Sequence, residues 1–244
     1  MNLGIRGRRA AVAAGSAGLG LATARALAEE GVAVAICGRH QDRLDEAVAA
    51  IGEGAVGIVA DMSVQGDATR FAETAADRLG GPLDIVVANA GGPPPGEAST
   101  TPLAAFEEAL HLNFLSTVEL CNATVEAMRS AGWGRILAIT SIGARQPIPS
   151  LAASSAARAA VTSYAKNLAT ELVGTGVCVN TIQPGSHNTA RMAHLSGVPE
   201  HGPAPRLGDP ADFGRIAAFL CSEPVAFVSG SAILVDGGVS RALQ

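Results

Sequence analysis

The sequence is poor in aromatic and charged side chains. Aromatic residues make up only 3% of the 244 residues, too few to supply the rings on which nucleic-acid bases stack. Charged residues make up 16%, and 17 Lys and Arg against 22 Asp and Glu give a net charge of −5. Because no basic block interrupts this balance, we expect no nucleic acid among the partners.

Cysteine is also scarce, and long apolar runs are absent. The four cysteines are scattered without a C-x-x-C spacing, which favours buried free thiols in a reducing cytosol: Cys37, Cys121, Cys178 and Cys221. No apolar run is long enough to cross a bilayer, and residues 1–9 lack the hydrophobic centre of a secretory signal. No histidine pair has convincing ligand spacing, so no metal site is predicted. We therefore expect a cytoplasmic protein of enzyme size with no membrane partner.

Hydrophobic residues are plentiful at 48%, and they form strand-like runs that alternate with helical runs. The predicted strands cover 9–14, 32–37, 55–60, 83–88, 135–141, 177–183 and 232–235, and the predicted helices cover 19–30, 41–51, 64–79, 103–130, 150–173 and 209–221. The strands are nearly continuous apolar runs, as in a parallel sheet covered on both faces. This pattern predicts an α/β fold, a single Rossmann-type doubly wound parallel sheet spanning 1–244.

Two long irregular stretches, 91–102 and 186–209, each follow the carboxyl end of a predicted strand. Ligands bind at that edge of an open α/β sheet. Loops of this length in a compact domain are usually functional, and we interpret 186–209 as a lid.

A glycine-rich segment, residues 13–20 (AAGSAGLG), joins the first predicted strand to the first predicted helix. Glycines permit a sharp turn close to a pyrophosphate, and the helix that follows offers free N–H groups. In this strand–loop–helix context the segment indicates dinucleotide binding. The second strand ends at Gly38-Arg39 instead of an acidic residue, and a guanidinium suits the 2′-phosphate of NADP. We predict NADP(H) as the cofactor.

Further motifs occur in order along the chain. They are Asp61 after the third strand, Asn89-Ala90-Gly91, Asn113 in the long helical run, Ser141 closing the fifth strand, Pro184-Gly185, Thr189 and Asp236-Gly237-Gly238. Together they resemble the short-chain dehydrogenase/reductase family from about residue 7 to 240, and within it the 3-oxoacyl-acyl-carrier-protein reductases. The resemblance implies a cofactor site of Ala14, Ser16, Ala17, Gly18, Leu19, Gly20, Arg39, Asp61, Met62, Asn89, Ala90, Gly91, Pro184, Gly185 and Thr189. It also implies a small carbonyl or alcohol substrate and a homo-oligomer, either a dimer or a tetramer.

The chain departs from that family at two places. Ala13 and Ala14 stand where Thr and Gly are expected, and we expect Gly15 to supply the sharp turn instead. The family's catalytic Tyr-x-x-x-Lys pair falls on Ser154 and Arg158, in a run (RAAV) that matches the family's K-A-A-V. The predicted catalytic residues are therefore Ser141, Asn113, Ser154 and Arg158.

The single tyrosine, Tyr164, is a poor substitute for the missing phenol. It lies ten residues beyond Ser154, roughly 15 Å along a helix and on another face, so we interpret it as a packing residue. A water held by Ser141, Ser154 and Asn113 is one alternative proton donor. His187 is another, unless it is a solvent-facing loop residue, since its titration range suits proton transfer near neutral pH.

Three functions remain open at this stage. The first is an NADP(H)-dependent carbonyl reductase or alcohol dehydrogenase with a non-standard proton path, slowed by about 10²–10⁴-fold through loss of the general acid. The second is an NADP-binding protein with little catalysis, acting as a sensor, regulator or oligomer partner. The third is a non-redox enzyme that reuses the pocket.

Overall fold

A computed structural model of the chain describes residues 2–195 and 207–242. Its sheet has seven strands in the order β3-β2-β1-β4-β5-β6-β7, and all neighbours are parallel. The strands are β1 (Arg9–Val12), β2 (Ala33–Gly38), β3 (Val56–Val59), β4 (Ile85–Ala88), β5 (Gly134–Ile139), β6 (Val177–Pro184) and β7 (Ala232–Val235). The strand order reverses between β1 and β4, which makes this a doubly wound sheet, as predicted.

Helices cover both faces of the sheet. They are α1 (Gly18–Glu29), α2 (Gln41–Ile51), α3 (Asp67–Arg78), α4 (Leu103–Ala109), α5 (Ser116–Ala131), α6 (Ala152–Glu171), α7 (Ala190–Leu195) and α8 (Pro210–Leu220). Among the described helices, none is long and apolar enough to span a membrane.

Most strand positions on both faces are apolar because the sheet separates two cores. Ala35 and Cys37 of β2 point into one core, with Phe71 of α3. Val34 and Ile36 point into the other, with Phe213 of α8. Both phenylalanines are completely buried, and burying such a side chain contributes about 1.5–3 kcal/mol. A strand with two apolar faces cannot show the alternation of a half-exposed strand.

Two regions differ from the sequence-based expectations. The predicted helix 103–130 is divided into α4 and α5 by a π-helical turn, Leu110–Leu115, and such turns frequently mark functional sites. The predicted lid, 186–209, contains the short helix α7, while its residues 196–206 lie outside the described part of the chain.

Candidate functional site

The predicted site residues converge on one edge of the sheet, where β1, β2, β4, β5 and β6 end. Parallel strands place their carboxyl ends at the same edge. The glycine-rich loop follows β1, Asn89 follows β4, Ser141 follows β5, and Pro184 is the last residue of β6. Residues distant in sequence thus share one cleft.

The sharp turn of the glycine-rich loop lies at Ala14, which corrects the expectation for Gly15. Ala14 has a φ of +45°, in the left-handed region that costs an L side chain roughly 1–2 kcal/mol. Gly15 instead provides close packing. A side-chain carbon at Gly15 would lie 2.7 Å from the Ile36 side chain. The Gly15 N–H donates to the Cys37 carbonyl at 2.9 Å.

Asn89 braces this loop from the end of β4. Its Nδ2 donates to the carbonyls of Ala13 and Ala14, both at 3.2 Å. Gly20 of α1 lies beneath the same carbonyls, since a side-chain carbon at Gly20 would lie 2.5 Å from the Ala14 oxygen and 2.7 Å from Asn89 Nδ2. Asn89, which the family resemblance places in the cofactor site, therefore supports the glycine-rich loop.

The N-terminus of α1 fits a bound phosphate. Its N-cap, Ala17, is extended and has no side-chain acceptor, and the first turn carries no acidic residue. The first N–H groups of a helix need acceptors from outside the helix, and phosphate oxygens supply them. Thr189, beyond β6, packs against Gly18 at this terminus. The residues present fit the pyrophosphate of a dinucleotide.

The adjacent strand ends have the features expected around an adenosine. Arg39 is exposed directly after β2, and Ser16 of the glycine-rich loop packs against Gly38. After β3, the Asp61 carboxylate accepts hydrogen bonds from the Ser63 N–H at 2.9 Å and hydroxyl at 2.7 Å. Met62 is buried beside it.

Ser141 is oriented by a short turn at the end of β5. It caps the 3₁₀ turn Ile142–Ala144, and its Oγ accepts the Gly143 N–H at 2.9 Å. Because that bond uses an acceptor lone pair, the hydroxyl proton of Ser141 is left to donate elsewhere. A carbonyl oxygen is a suitable acceptor.

Arg158 holds the centre of the site together. Its Nη1 donates to the carbonyls of Ile139 at 3.0 Å and Thr140 at 2.9 Å, and its Nη2 reaches the Ala90 carbonyl at 3.5 Å. Burial, together with the nearby charge of Arg191, lowers the pKa of Arg158 to about 10. Arg158 is therefore still cationic at neutral pH and cannot relay a proton there.

Ser154 lies beside Arg158 on α6. It is 8% exposed, and its Oγ accepts from Arg158 Nε at 3.4 Å. The structure therefore brings Ser154 and Arg158 together, and Arg158 also binds the carbonyl of Thr140, the residue before Ser141. The catalytic role of the pair stays a prediction.

Asn113 lies in the π-helical turn and is 4% exposed. Its Nδ2 donates to the Ala109 carbonyl at 3.2 Å. Its Oδ1 is buried and has no hydrogen-bond partner among the described protein atoms. A buried amide oxygen needs a hydrogen-bond donor. The π turn, which directly precedes α5, therefore presents Asn113 Oδ1 as an acceptor.

Tyr164 does not enter the cleft. Its ring packs edge-on against Phe114 with 6.0 Å between centroids, and it contacts Cys121. Burial is the main cause that raises the pKa of its phenol above the ordinary value. The interpretation of Tyr164 as a packing residue agrees with this position.

His187 is neither solvent-facing nor open to the cleft. It is 5% exposed, its ring packs edge-on against Phe213 at 5.1 Å, and Nδ1 lies 3.1 Å from the Gly185 carbonyl oxygen. The expectation of a loop histidine at the surface is therefore wrong. Its contacts are those of a structural residue that anchors the start of the lid to α8.

The sequence analysis missed Arg191. This residue of α7 crosses to the loop after β4, where its Nη1 donates to the Gly92 carbonyl at 2.9 Å and its Nη2 to that of Pro93 at 3.4 Å. No local motif signals this contact, because the two partners are about a hundred residues apart in the chain.

Among the described residues, no group of three or more His, Cys, Asp or Glu is arranged to hold a metal ion.

A doubly wound sheet with this loop, helix terminus and strand-end serine defines a dinucleotide-binding oxidoreductase fold. A family model described as enoyl-(acyl carrier protein) reductase matches residues 13–240. The chain belongs to the short-chain dehydrogenase/reductase family.

Relatives with known names support this assignment. The chain is 34% identical over 245 residues to dehydrogenase/reductase SDR family member 4 of Sus scrofa, covering 96% of this chain and 88% of the relative. A 7α-hydroxysteroid dehydrogenase complexed with NADH and 7-oxo glycochenodeoxycholic acid superposes with a TM-score of 0.90 at 30% identity, covering 100% and 98% of the two chains. An NADPH-bound short-chain oxidoreductase from Pseudomonas aeruginosa PAO1, described as containing an atypical catalytic center, superposes with a TM-score of 0.85 at 33% identity, covering 96% and 97%.

Proposed function

We propose that this protein is an NADP(H)-dependent oxidoreductase that reduces a carbonyl compound, or oxidises the alcohol, through a proton path without a tyrosine. The observation that carries this proposal is that Arg158 binds both Ser154 and the carbonyl of Thr140, the residue before Ser141, at the same sheet edge as the braced glycine-rich loop. The named relatives of this chain include dehydrogenases and reductases, and one with an atypical catalytic center binds NADPH.

The side chains of the site orient the substrate carbonyl and stabilise the charge that develops on its oxygen. When bound, the nicotinamide cofactor supplies the hydride. Ser141 donates its hydroxyl proton as a hydrogen bond to the carbonyl oxygen, since its acceptor side is held by Gly143 N–H. The Arg158 cation favours negative charge developing on that oxygen. A water molecule in contact with Ser141 and Ser154 relays the proton from bulk solvent to the alkoxide oxygen and is itself reprotonated by the solvent.

The preference for NADP(H) rests on Arg39, an exposed cation at the end of β2. We expect NADPH to bind more tightly than NADH, and Arg39→Ala to weaken NADPH binding by about 10–100-fold with little effect on NADH. Fluorescence titration of both cofactors measures this. Arg129→Ala, at the exposed end of α5, is the matched loss of charge away from the site. Equal affinity of the wild-type protein for the two cofactors would contradict the proposed preference for NADP(H).

Turnover is tested with a panel of ketones, aldehydes and alcohols by following absorbance at the nicotinamide band. Oxidation of NADPH with stoichiometric alcohol formation supports the reductase. Tight NADPH binding with no turnover across the panel favours the second candidate, an NADP-binding protein. That candidate draws support from Tyr164, whose ring packs against Phe114 outside the site.

We also propose a homo-oligomer, a dimer or a tetramer, in the cytoplasm. Large apolar side chains are exposed on α4 and the π turn, among them Leu103 at 74%, with Leu110 and Leu115, and a second subunit that covered them would remove this apolar surface from water. All four cysteines are free, as in a reducing compartment. Light scattering after size-exclusion chromatography gives the assembly, and a monomer at micromolar concentration would contradict it.

A further inference from the structure

Two arginines from different helices bind carbonyls of the same loop. Arg158, on α6, reaches the Ala90 carbonyl, and Arg191, on the lid helix α7, donates to the carbonyl of Gly92. The loop follows β4. Arg158 also binds the Ser154 hydroxyl, and the charge of Arg191 acts on Arg158. Arg191 therefore lies near the predicted catalytic residues Ser154 and Arg158.

Neither arginine has a carboxylate partner in the described chain. Within residues 2–195 and 207–242, the ion pairs involve Arg8, Arg9, Arg70, Arg129 and Arg215 only. The recorded partners of Arg158 and Arg191 are neutral carbonyls and the Ser154 hydroxyl. The two like charges also oppose each other, since the Arg191 charge disfavours the cationic form of Arg158. Two neighbouring cations without a counter-charge are costly in a partly desolvated cleft.

Arg191 retains unused donors. A guanidinium carries five N–H groups. Nη1 of Arg191 donates one of them to the Gly92 carbonyl, and Nη2 donates another to the Pro93 carbonyl. The remaining donors match a carboxylate, which accepts paired N–H groups in one plane.

We propose that the substrate is an oxo acid, or the corresponding hydroxy acid, and that its carboxylate binds Arg191 while its carbonyl meets Ser141. This inference rests on the proposed function for the chemistry but not for the binding. An anionic substrate supplies the counter-charge that the arginine pair lacks. A neutral ester of the same carbon skeleton does not, so the pocket selects the acid.

Binding is measured first, without any need for turnover. The NADPH complex is titrated by calorimetry with 3- and 4-oxo acids of short and medium chain length and with the methyl ester of each. We expect the acids to bind about 10–100-fold more tightly than the esters. Arg191→Gln is expected to abolish that difference by weakening the acids alone.

Gly92→Ala supplies a second variant that keeps both charges. A side-chain carbon at Gly92 would coincide with the Arg191 guanidinium, and the end of a flexible arginine can move aside without unfolding the protein. We expect Gly92→Ala to weaken acid binding and leave ester binding nearly unchanged. Arg129→Gln, which removes an exposed charge from the end of α5, is expected to change neither.

Three results of the binding experiments would overturn the inference. These are equal binding of acids and esters, equal weakening of both by Arg191→Gln, and a weaker NADPH affinity in Arg191→Gln, which would assign Arg191 to the cofactor. Selective binding of acids without NADPH oxidation would support the anion site while contradicting the proposed reductase. Oxidation of NADPH by neutral ketones in preference to oxo acids would support the reductase and contradict the anion site.

Discussion

Arg158 donates through Nε to the hydroxyl of Ser154, one helical turn earlier on α6, at 3.4 Å. The same guanidinium binds the carbonyls of Ile139 and Thr140 at the end of β5. The two residues that the sequence aligns with the family's Tyr and Lys are therefore bound to each other, and Arg158 is bound to the strand that precedes Ser141. A change to one of them alters the surroundings of the other.

Restoring both family residues is expected to create an efficient general acid. We predict that Ser154→Tyr with Arg158→Lys raises carbonyl reduction by about 10²–10⁴-fold, the usual contribution of a positioned proton donor. Ser154→Tyr alone is expected to gain less, because the Arg158 guanidinium remains bound to the β5 carbonyls. NADPH oxidation with the same carbonyl panel measures the gain.

Tyr164→Phe is the control for this series. Because the phenol packs against Phe114 outside the cleft, its removal is expected to leave turnover and cofactor binding unchanged. A loss of turnover in Tyr164→Phe, or no gain in the double variant, would count against the assignment of the site.

The strained turn of the glycine-rich loop predicts a stabilising substitution. Ala14→Gly relieves a left-handed alanine worth roughly 1–2 kcal/mol, while glycine costs about 0.5–1 kcal/mol in chain entropy. The free energy of unfolding is expected to rise by about 0.5–1 kcal/mol, measured by urea denaturation. Gly15→Ala should instead lower it, because the added carbon would press on Ile36. An unchanged or lower stability in Ala14→Gly would show that the turn carries no strain.

Asn89 is expected to control cofactor affinity through the loop it braces. Asn89→Ala leaves the Ala13 and Ala14 carbonyls without this donor, so we expect NADPH to bind about 10-fold more weakly, with a loss of about 1 kcal/mol in stability. Titration and denaturation give the two values separately. Asn167→Ala, which removes an exposed amide bonded to the Ser163 carbonyl on α6, is the matched control and should preserve affinity.

The thiols are expected to be unreactive in the native protein. Burial raises the pKa of Cys37, Cys121 and Cys221 to about 12, and only the thiolate reacts readily. At pH 8 we expect very slow labelling by Ellman's reagent, and reaction of all four thiols after unfolding in guanidinium chloride. Rapid native labelling would contradict the burial of these side chains.

The raised pKa values of the buried thiols predict how the stability of the protein depends on pH. Between pH about 9 and 12 the unfolded chain releases thiol protons that the native state retains, so stability falls as pH rises. Replacement of Cys37 by Ala should flatten that decline. The slope is measured from urea denaturation at several pH values above 8.

Much of the architecture is readable from local pattern. The predicted helix 41–51 and strand 232–235 coincide with α2 and β7, because each is a short apolar or amphipathic run with clear ends. The π turn around Asn113 was not predicted, since a single extra residue in a helical turn leaves the surrounding periodicity almost unchanged. His187 was misjudged because its burial depends on Phe213, which belongs to a helix beyond the lid.

The succession of strands and helices along the chain, the position of the glycine-rich loop and the alignment of Ser154 and Arg158 with the family's pair are predicted from the linear chain alone, because each depends on spacing along the chain. The left-handed Ala14, the role of Asn89 as its brace and the meeting of Arg158 with Arg191 were decided only by the tertiary structure. Those features depend on which strand ends become neighbours, and packing between elements distant in sequence determines that.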